Sequence, residues 1–337
     1  MKDRLKVAVL SGGFSAEDYL SRRSGALILE HANRDKYLCS LFDWNAAGWV
    51  AESAPGEPDH IIQRHESILA AFATPKRFDI VVNTLHGEME CDGQLQGMFE
   101  LAKQPYTGNG RASSIIGMNK ILSKKIMREA GLLTPDWLAL TAENLSENTD
   151  SIKAAADQFG FPLIVKAATG GSSNSILMAD NEQQMFAAIK SLSDVYDEVY
   201  LEPFLDGLEY TVAVFGEPGD KPLTTLPVAR IAYEGMLFDA AIKKADRYQV
   251  LVPCGLIESE QKELMRIAEQ LHYCFRFNAF SRVDFRYAGG KPYLLEVNTH
   301  PGLGENSIVP LMLKAAGISW ETVIDWLVEN GLNRKMR

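Results

Sequence analysis

Three short apolar runs, at 6–10, 39–44 and 78–85, punctuate the first hundred residues, with helix-like stretches between them. The first run ends in Ser-Gly-Gly, so a buried strand passes into a glycine loop and then into a helix over 15–26. Residues 60–73 carry apolar side chains at helical spacing, and 93–102 read as another helix. Buried strands alternating with helices lead to a parallel sheet covered on both faces, so the fold class is α/β. In such sheets ligands gather at the carboxyl ends of the strands. The loops at Gly12-Gly13 and His86-Gly87 fall there.

The rest of the chain continues the mixture. Residues 113–130 read as one helix, and Pro135 marks a boundary. Strand-like runs at 163–166 and 175–178 flank a loop of small residues, Ala-Ala-Thr-Gly-Gly-Ser-Ser-Asn. A helix at 182–192 and strands at 199–204 and 209–215 follow. Then come a long amphipathic helix at 260–275, strands at 279–287 and 291–297, and two closing helices. Pattern shifts near 105 and 200 divide the chain into three units, 1–105, 106–200 and 201–337.

Charge limits what such a scaffold binds. The 337 residues hold 34 Lys and Arg against 44 Asp and Glu, a net charge of −10. That balance argues against nucleic acid as a partner, because phosphate neutralisation needs a basic surface. A polyanionic ligand must instead meet a few placed cations or a metal. The four cysteines are scattered without a C-x-x-C pair and read as reduced thiols. The first apolar run is too short for a signal peptide, and no run reaches the roughly 20 apolar residues of a membrane helix. The expected place is the cytoplasm, with no membrane partner.

The segment 281–298 is the most informative for chemistry. Alternation puts Arg282, Asp284 and Arg286 on one face of the first strand, and Leu294, Glu296 and Asn298 on one face of the second. Gly289-Gly290 lies between, a hairpin signal. Opposing Asp284 to Glu296 needs a three-residue loop, Gly289 to Lys291, or a five-residue one, not a two-residue Gly-Gly turn. In that register two carboxylates and an amide oxygen converge, a set suited to Mg²⁺ carrying nucleotide phosphates. A solvated charged sheet face explains the same residues equally well. The loop at 170–173 fits an ordinary hairpin or a phosphate cradle of backbone N–H groups. Lys166 and His86 each end an apolar strand, where a structural role is the commoner one. Glu17 suits a helix first turn, and His300 a turn.

Read in order, these segments resemble the D-alanine–D-alanine ligases of the ATP-grasp superfamily over nearly the whole chain. The matching pieces begin with Leu10-Ser-Gly-Gly-Phe-Ser-Ala-Glu17, Leu85-His-Gly87, Asp92-Gly-Gln-Leu-Gln-Gly97 and Gly117-Met-Asn-Lys120. They continue with Phe161-Pro-Leu-Ile-Val-Lys166, Gly171-Ser-Ser173, Glu202-Pro-Phe-Leu205 and Gly207-Leu-Glu209. Arg282-Val-Asp284, Glu296-Val-Asn-Thr-His-Pro-Gly302 and Ser307 complete the set. The resemblance implies an ATP-grasp fold and an ATP-dependent carboxylate–amine ligase that forms a dipeptide through an acylphosphate. It implies amino acid substrates, a place in cell-wall peptidoglycan synthesis and Mg²⁺ or Mn²⁺ as cofactor, and it allows a homodimer.

By the same resemblance Lys120 and Lys166 contact ATP phosphates and adenine, and Ser172 and Ser173 belong to the nucleotide loop. Glu202, Pro203, Phe204 and Leu205 meet the adenine edge, and Glu209 the ribose hydroxyls. Asp284, Glu296 and Asn298 hold the metal. Glu17 anchors the first substrate's ammonium with His86 beside it, Arg282 and the Gly302 N–H stabilise an oxyanion, and Ser307 binds the second substrate's carboxylate.

The departures fall on the acceptor side. The acidic pair expected before Gly93 reads Cys91-Asp92, with Glu90 where glycine is usual. After Gly-Ser-Ser, Asn174-Ser175 replaces the x-Gly pair, and Asp18-Tyr19 follows Glu17 in place of a basic residue and Glu. The mobile loop reads Phe238-Asp-Ala-Ala-Ile-Lys-Lys244. Lys243 keeps the phosphate-facing cation, but Lys244 stands where a tyrosine hydroxyl would tie the loop to Ser172 and Glu17. Lys244 is therefore expected to pair with Glu17 or to face the second substrate. The alternative reading keeps the ATP half and joins other amino or hydroxy acids. A nucleotide-binding protein without ligation is the rival of another class.

Overall fold

The computed structural model describes residues 4–15, 17–45, 48–52, 64–65, 78–87, 91–141, 148–171, 173, 175–219, 222–245 and 247–334. Three sheets follow one another along the chain.

The first sheet has the order β4-β3-β2-β1-β5, from β1 Leu5–Gly12, β2 Tyr37–Asn45, β3 Gly48–Glu52, β4 Arg64–His65 and β5 Ile80–Asn83. β1 pairs in parallel with both β2 and β5, as the buried apolar runs require. The parallel sheet does not extend to its edge. β3 and β4 pair antiparallel, so the sheet is mixed. The helix read over 60–73 is corrected at Arg64–His65, which is strand, and the remainder of it lies outside the described residues. Val7 to Leu10 are at most 1% exposed because both faces of β1 are covered. One cover comes from far along the chain: Val323, Ile324, Leu327 and Val328 of the helix Trp320–Asn333 share a core with Val7, Val9, Ile80 and Val82.

The second sheet, order β6-β9-β7-β8, comprises β6 Leu138–Thr141, β7 Leu163–Ala167, β8 Ile176–Ala179 and β9 Glu198–Pro203. The helices Thr149–Phe159 and Glu182–Ser193 pack their apolar stripes on it. The single helix expected over 113–130 is instead two, Arg111–Met118 and Lys120–Glu129. Asn119 breaks it with an extended backbone, its side chain caps Leu122 N, and Lys120 N leaves for the Ala168 carbonyl.

The third sheet has the order β13-β12-β10-β14-β15, with β11 paired to β10. Its strands are β10 Leu208–Phe215, β11 Thr224–Thr225, β12 Ala229–Tyr233, β13 Tyr248–Leu251, β14 Phe280–Ala288 and β15 Lys291–Asn298. The helix Glu258–Cys274 covers one face through Leu264, Ile267, Ala268 and Leu271.

The β14–β15 hairpin corrects the loop-length expectation. Ala288 pairs with Lys291, so the turn is the two-residue Gly289-Gly290, both at positive φ, as a mirror-type hairpin turn needs. Asp284 still faces Glu296, because a bulge at Leu295 shifts the register between Asp284 and Phe285. The neighbouring segment holds that bulge, with Leu294 N donating to the Leu133 carbonyl and Thr134 Oγ1 to the Leu294 carbonyl at 2.9 Å.

Candidate active site

The three sheets surround two cavities that share Ser173, Lys243 and Glu296 in their walls. The larger, about 390 Å³, is lined by Glu17, His86, Lys120, Lys244, Arg282, Asn298, Gly302 and Ser307 among others. The smaller, about 70 Å³, is lined by Lys166, Glu202, Pro203, Phe204, Leu205, Glu209 and Asp284. Of the residues given a site role by the resemblance, Ser172 alone lies outside the described residues and the others line these two walls; of the departures, Glu90 and Asn174 also lie outside the described residues.

The smaller cavity is built on charge. Glu202, on β9, is buried between two ammonium groups, Lys166 Nζ at 2.6 Å and Lys124 Nζ at 2.8 Å. Burial pushes its carboxyl up, but the two cations outweigh that and hold it below the usual carboxylate range. Lys124 also donates to Thr134 Oγ1 and the Pro135 carbonyl, both at 2.9 Å, and burial lowers its own pKa. Sequence reasoning missed this lysine. Its signal was position: on the helix Lys120–Glu129 it falls on the buried face with Lys120, Ile121 and Met127. Glu209 accepts from Tyr233 Oη at 2.9 Å and lies 3.3 Å from Arg286, with its carboxyl raised by burial. Tyr233 was also missed, and Arg286, placed by alternation on the face of Asp284, had been given no role.

Where the cavities meet, Arg282 grips Asp284 with two bonds, Nε to Oδ1 at 2.9 Å and Nη2 to Oδ2 at 2.7 Å, and Thr211 Oγ1 donates to Oδ1 at 2.6 Å. Burial alone would raise the Asp284 carboxyl, but the guanidinium holds it below its ordinary range. Glu296, directly across, is 4.0 Å from Lys120 Nζ, and Lys120 also donates to the Gly170 carbonyl at 2.8 Å. Arg282 pairs with Asn298, two residues along on the same face. A metal fits this donor set: Asp284 Oδ2 retains a lone pair beyond its bond to Arg282, and all three donors are hard oxygens.

The larger cavity brings distant loops together. Ser15 Oγ donates to the His86 carbonyl and accepts from Glu17 N at 3.1 Å, joining the glycine loop after β1 to the loop after β5. Glu17 opens the helix Asp18–His31, and its carboxylate lies so close to Gly171 that a Cβ there would stand 2.7 Å from Oε2. His86 and His300 are buried with ring centroids 5.2 Å apart. Burial lowers them to about 4 and about 3, so both rings are neutral. Lys243 Nζ sits 4.7 Å from the Phe238 ring centre, and Phe238 stacks on Tyr233. Lys244 is exposed on the cavity wall and forms no ion pair among the described residues, so the expected pair with Glu17 is not made.

A wall of cations and neutral donors beside a carboxylate-and-guanidinium junction suits phosphoryl transfer to a small acid. The family model for the D-ala D-ala ligase N-terminus matches residues 6–109, and that for the C-terminus matches 126–329. The chain belongs to the D-alanine–D-alanine ligase family. Relatives of that name from Nitrosomonas europaea and Leptospira interrogans are 33% and 30% identical, over 97% and 98% of this chain and 97% and 99% of theirs. The structure is similar to a D-Ala:D-Ser ligase from Enterococcus faecalis at a TM-score of 0.85 and 26% identity, covering 98% of this chain and 100% of that one. It is similar also to a Bacillus anthracis D-alanine–D-alanine ligase complexed with ATP, at 0.78 and 26%, covering 97% of each. As a ligase of this family the chain has the ATP-grasp architecture, and it is an ATP-dependent enzyme that forms C–N bonds. No helix among the described residues is long and apolar enough to cross a membrane.

Proposed function

We propose that this ligase phosphorylates the carboxylate of one D-alanine with ATP and joins it to the amine of a second, giving D-Ala–D-Ala, ADP and phosphate. The observation that carries the reading is the junction itself. A narrow cavity lined by three cations and a wider one lined by the Glu17 carboxylate meet at Arg282, Asp284 and Glu296. The narrow side takes the base and ribose, with Pro203 to Leu205 along the adenine edge and Glu209 on the ribose; at the junction Lys166 and Lys243, with Lys120 and the 171–173 loop from the wider side, meet the phosphates. Glu17 takes the first ammonium beside His86, and Ser307 the second carboxylate.

A carboxylate oxygen of the first D-alanine attacks the terminal phosphorus, and the bond to ADP breaks. Lys120 and Lys243 stabilise the charge on the transferred group. The amine of the second D-alanine then attacks the acyl carbon, loses a proton, and phosphate leaves with the original carboxylate oxygen. Arg282 and the Gly302 N–H face the oxyanion formed on the way. Asp284, Glu296 and Asn298 would hold Mg²⁺ or Mn²⁺, which when bound neutralises phosphate charge. The three units 1–105, 106–200 and 201–337 supply the acid side, the nucleotide cover and the metal floor respectively. We place the reaction in the cytoplasm, as a step toward peptidoglycan.

D-alanine labelled with heavy oxygen in its carboxylate tests the chemistry. Label must appear in the released phosphate; retention of all label in the dipeptide overturns the acylphosphate. A second reading rests on Lys244: an exposed cation on the acceptor wall favours a second substrate bearing a further carboxylate.

A further inference from the structure

We infer that His86, Cys91 and His300 form a Zn²⁺ site in the wall of the larger cavity, distinct from the carboxylate pair at the cavity junction. One ligating atom from each of these three buried residues lies within 4.8 Å of the others. Two imidazoles and a thiol are the donor set of a borderline-soft divalent ion, and three protein ligands leave a fourth position open. The hard oxygens of Asp284, Glu296 and Asn298 select differently.

The second observation concerns His86. Its Nε2 is buried without a hydrogen-bond partner. A buried imidazole nitrogen with no hydrogen-bond partner is an atom a metal can satisfy. Cys91 Sγ lies 3.3 Å from the Leu85 carbonyl, and that S–H is the proton released as the thiolate binds. All three residues line the cavity, so an ion entering it reaches them.

The three ligands come from two loops, one after β5 and one after β15. A bound ion therefore staples the first sheet to the third and withdraws His86 from the ammonium end of the cavity. Zn²⁺ then inhibits ligation, a consequence that rests on the ligase reading; binding itself does not.

The test uses the whole purified protein. Co²⁺ added alone should give a thiolate-to-metal charge-transfer band at one equivalent, absent in Cys91→Ser. Zn²⁺ should compete it away. In ligation assays at saturating Mg²⁺, the Zn²⁺ concentration for half inhibition should rise at least tenfold in Cys91→Ser and in His300→Gln. If wild type lacks the Co²⁺ band, the site is overturned whatever the activity. If the band is present but both variants keep wild-type Zn²⁺ sensitivity, inhibition through this site is overturned and binding stands. Should Cys91→Ser not fold, His300→Gln and the wild-type band decide the matter.

Discussion

Glu202 shows how one buried carboxylate holds two lysines in place. Its carboxylate stands between Lys124 and Lys166, all three nearly out of solvent. Glu202→Gln leaves two buried ammonium groups facing an amide, and breaking a buried pair in this way costs about 3–5 kcal/mol. Urea unfolding should show the loss, and an unchanged midpoint would contradict the triad. Gly171 offers a cleaner probe of substrate binding. Its backbone suits alanine, but the added Cβ meets the Glu17 carboxylate. Gly171→Ala should raise KM for the first amino acid about tenfold while the urea midpoint holds. Lys244→Tyr should raise D-Ala–D-Ala formation relative to an acidic acceptor; an unchanged ratio of kcat/KM values would leave Lys244 without a part in acceptor choice. Such residues differ in how far sequence exposes them. Glu17 and Lys244 were legible from motif and departure, whereas Lys124 looked like one more lysine on a charged helix until its face was seen to be buried.

At the scale of the element, the β14–β15 hairpin joins a legible part to a hidden one. Alternation placed Asp284 and Glu296 on their faces correctly. The bulge at Leu295 had no signal in the Leu294-Leu295 pair, because it depends on hydrogen bonds from residues 133 and 134, far away in sequence. Two errors of opposite sense, a turn too long and a ladder too regular, therefore left the site's register right. The short antiparallel strands β3 and β4 were unreadable for a related reason, since an edge pairing is decided by the neighbour it finds. The turn makes its own prediction. Gly289 and Gly290 are both at positive φ with open space around their Cα atoms, so any penalty for a side chain is conformational. Gly290→Val should cost about 1–2 kcal/mol in urea unfolding, and Gly289→Asn much less, because asparagine tolerates that backbone.

The whole molecule is tied together by its last helix and by buried histidines. Residues 320–333 close the core of the first sheet, a contact invisible to any local reading because it spans the length of the chain. His86, His272 and His300 are lowered by burial to about 4, about 4 and about 3. The unfolded chain takes up protons on these rings below about pH 6.5, while the folded protein does not until near pH 4. Stability therefore falls as pH drops through that window, by up to about 1.4 kcal/mol per pH unit for each ring. The urea midpoint should be clearly lower at pH 5 than at pH 7.5, and a flat profile would contradict neutral buried rings. The central claim is ligation at the cavity junction. Its most direct measurement is product mass with D-alanine, ATP and Mg²⁺, with ADP counted against dipeptide and Glu296→Gln as control. One D-Ala–D-Ala per ADP, falling by orders of magnitude in Glu296→Gln without loss of fold, is the expected result. ADP release without any dipeptide, or full turnover in Glu296→Gln, would contradict it.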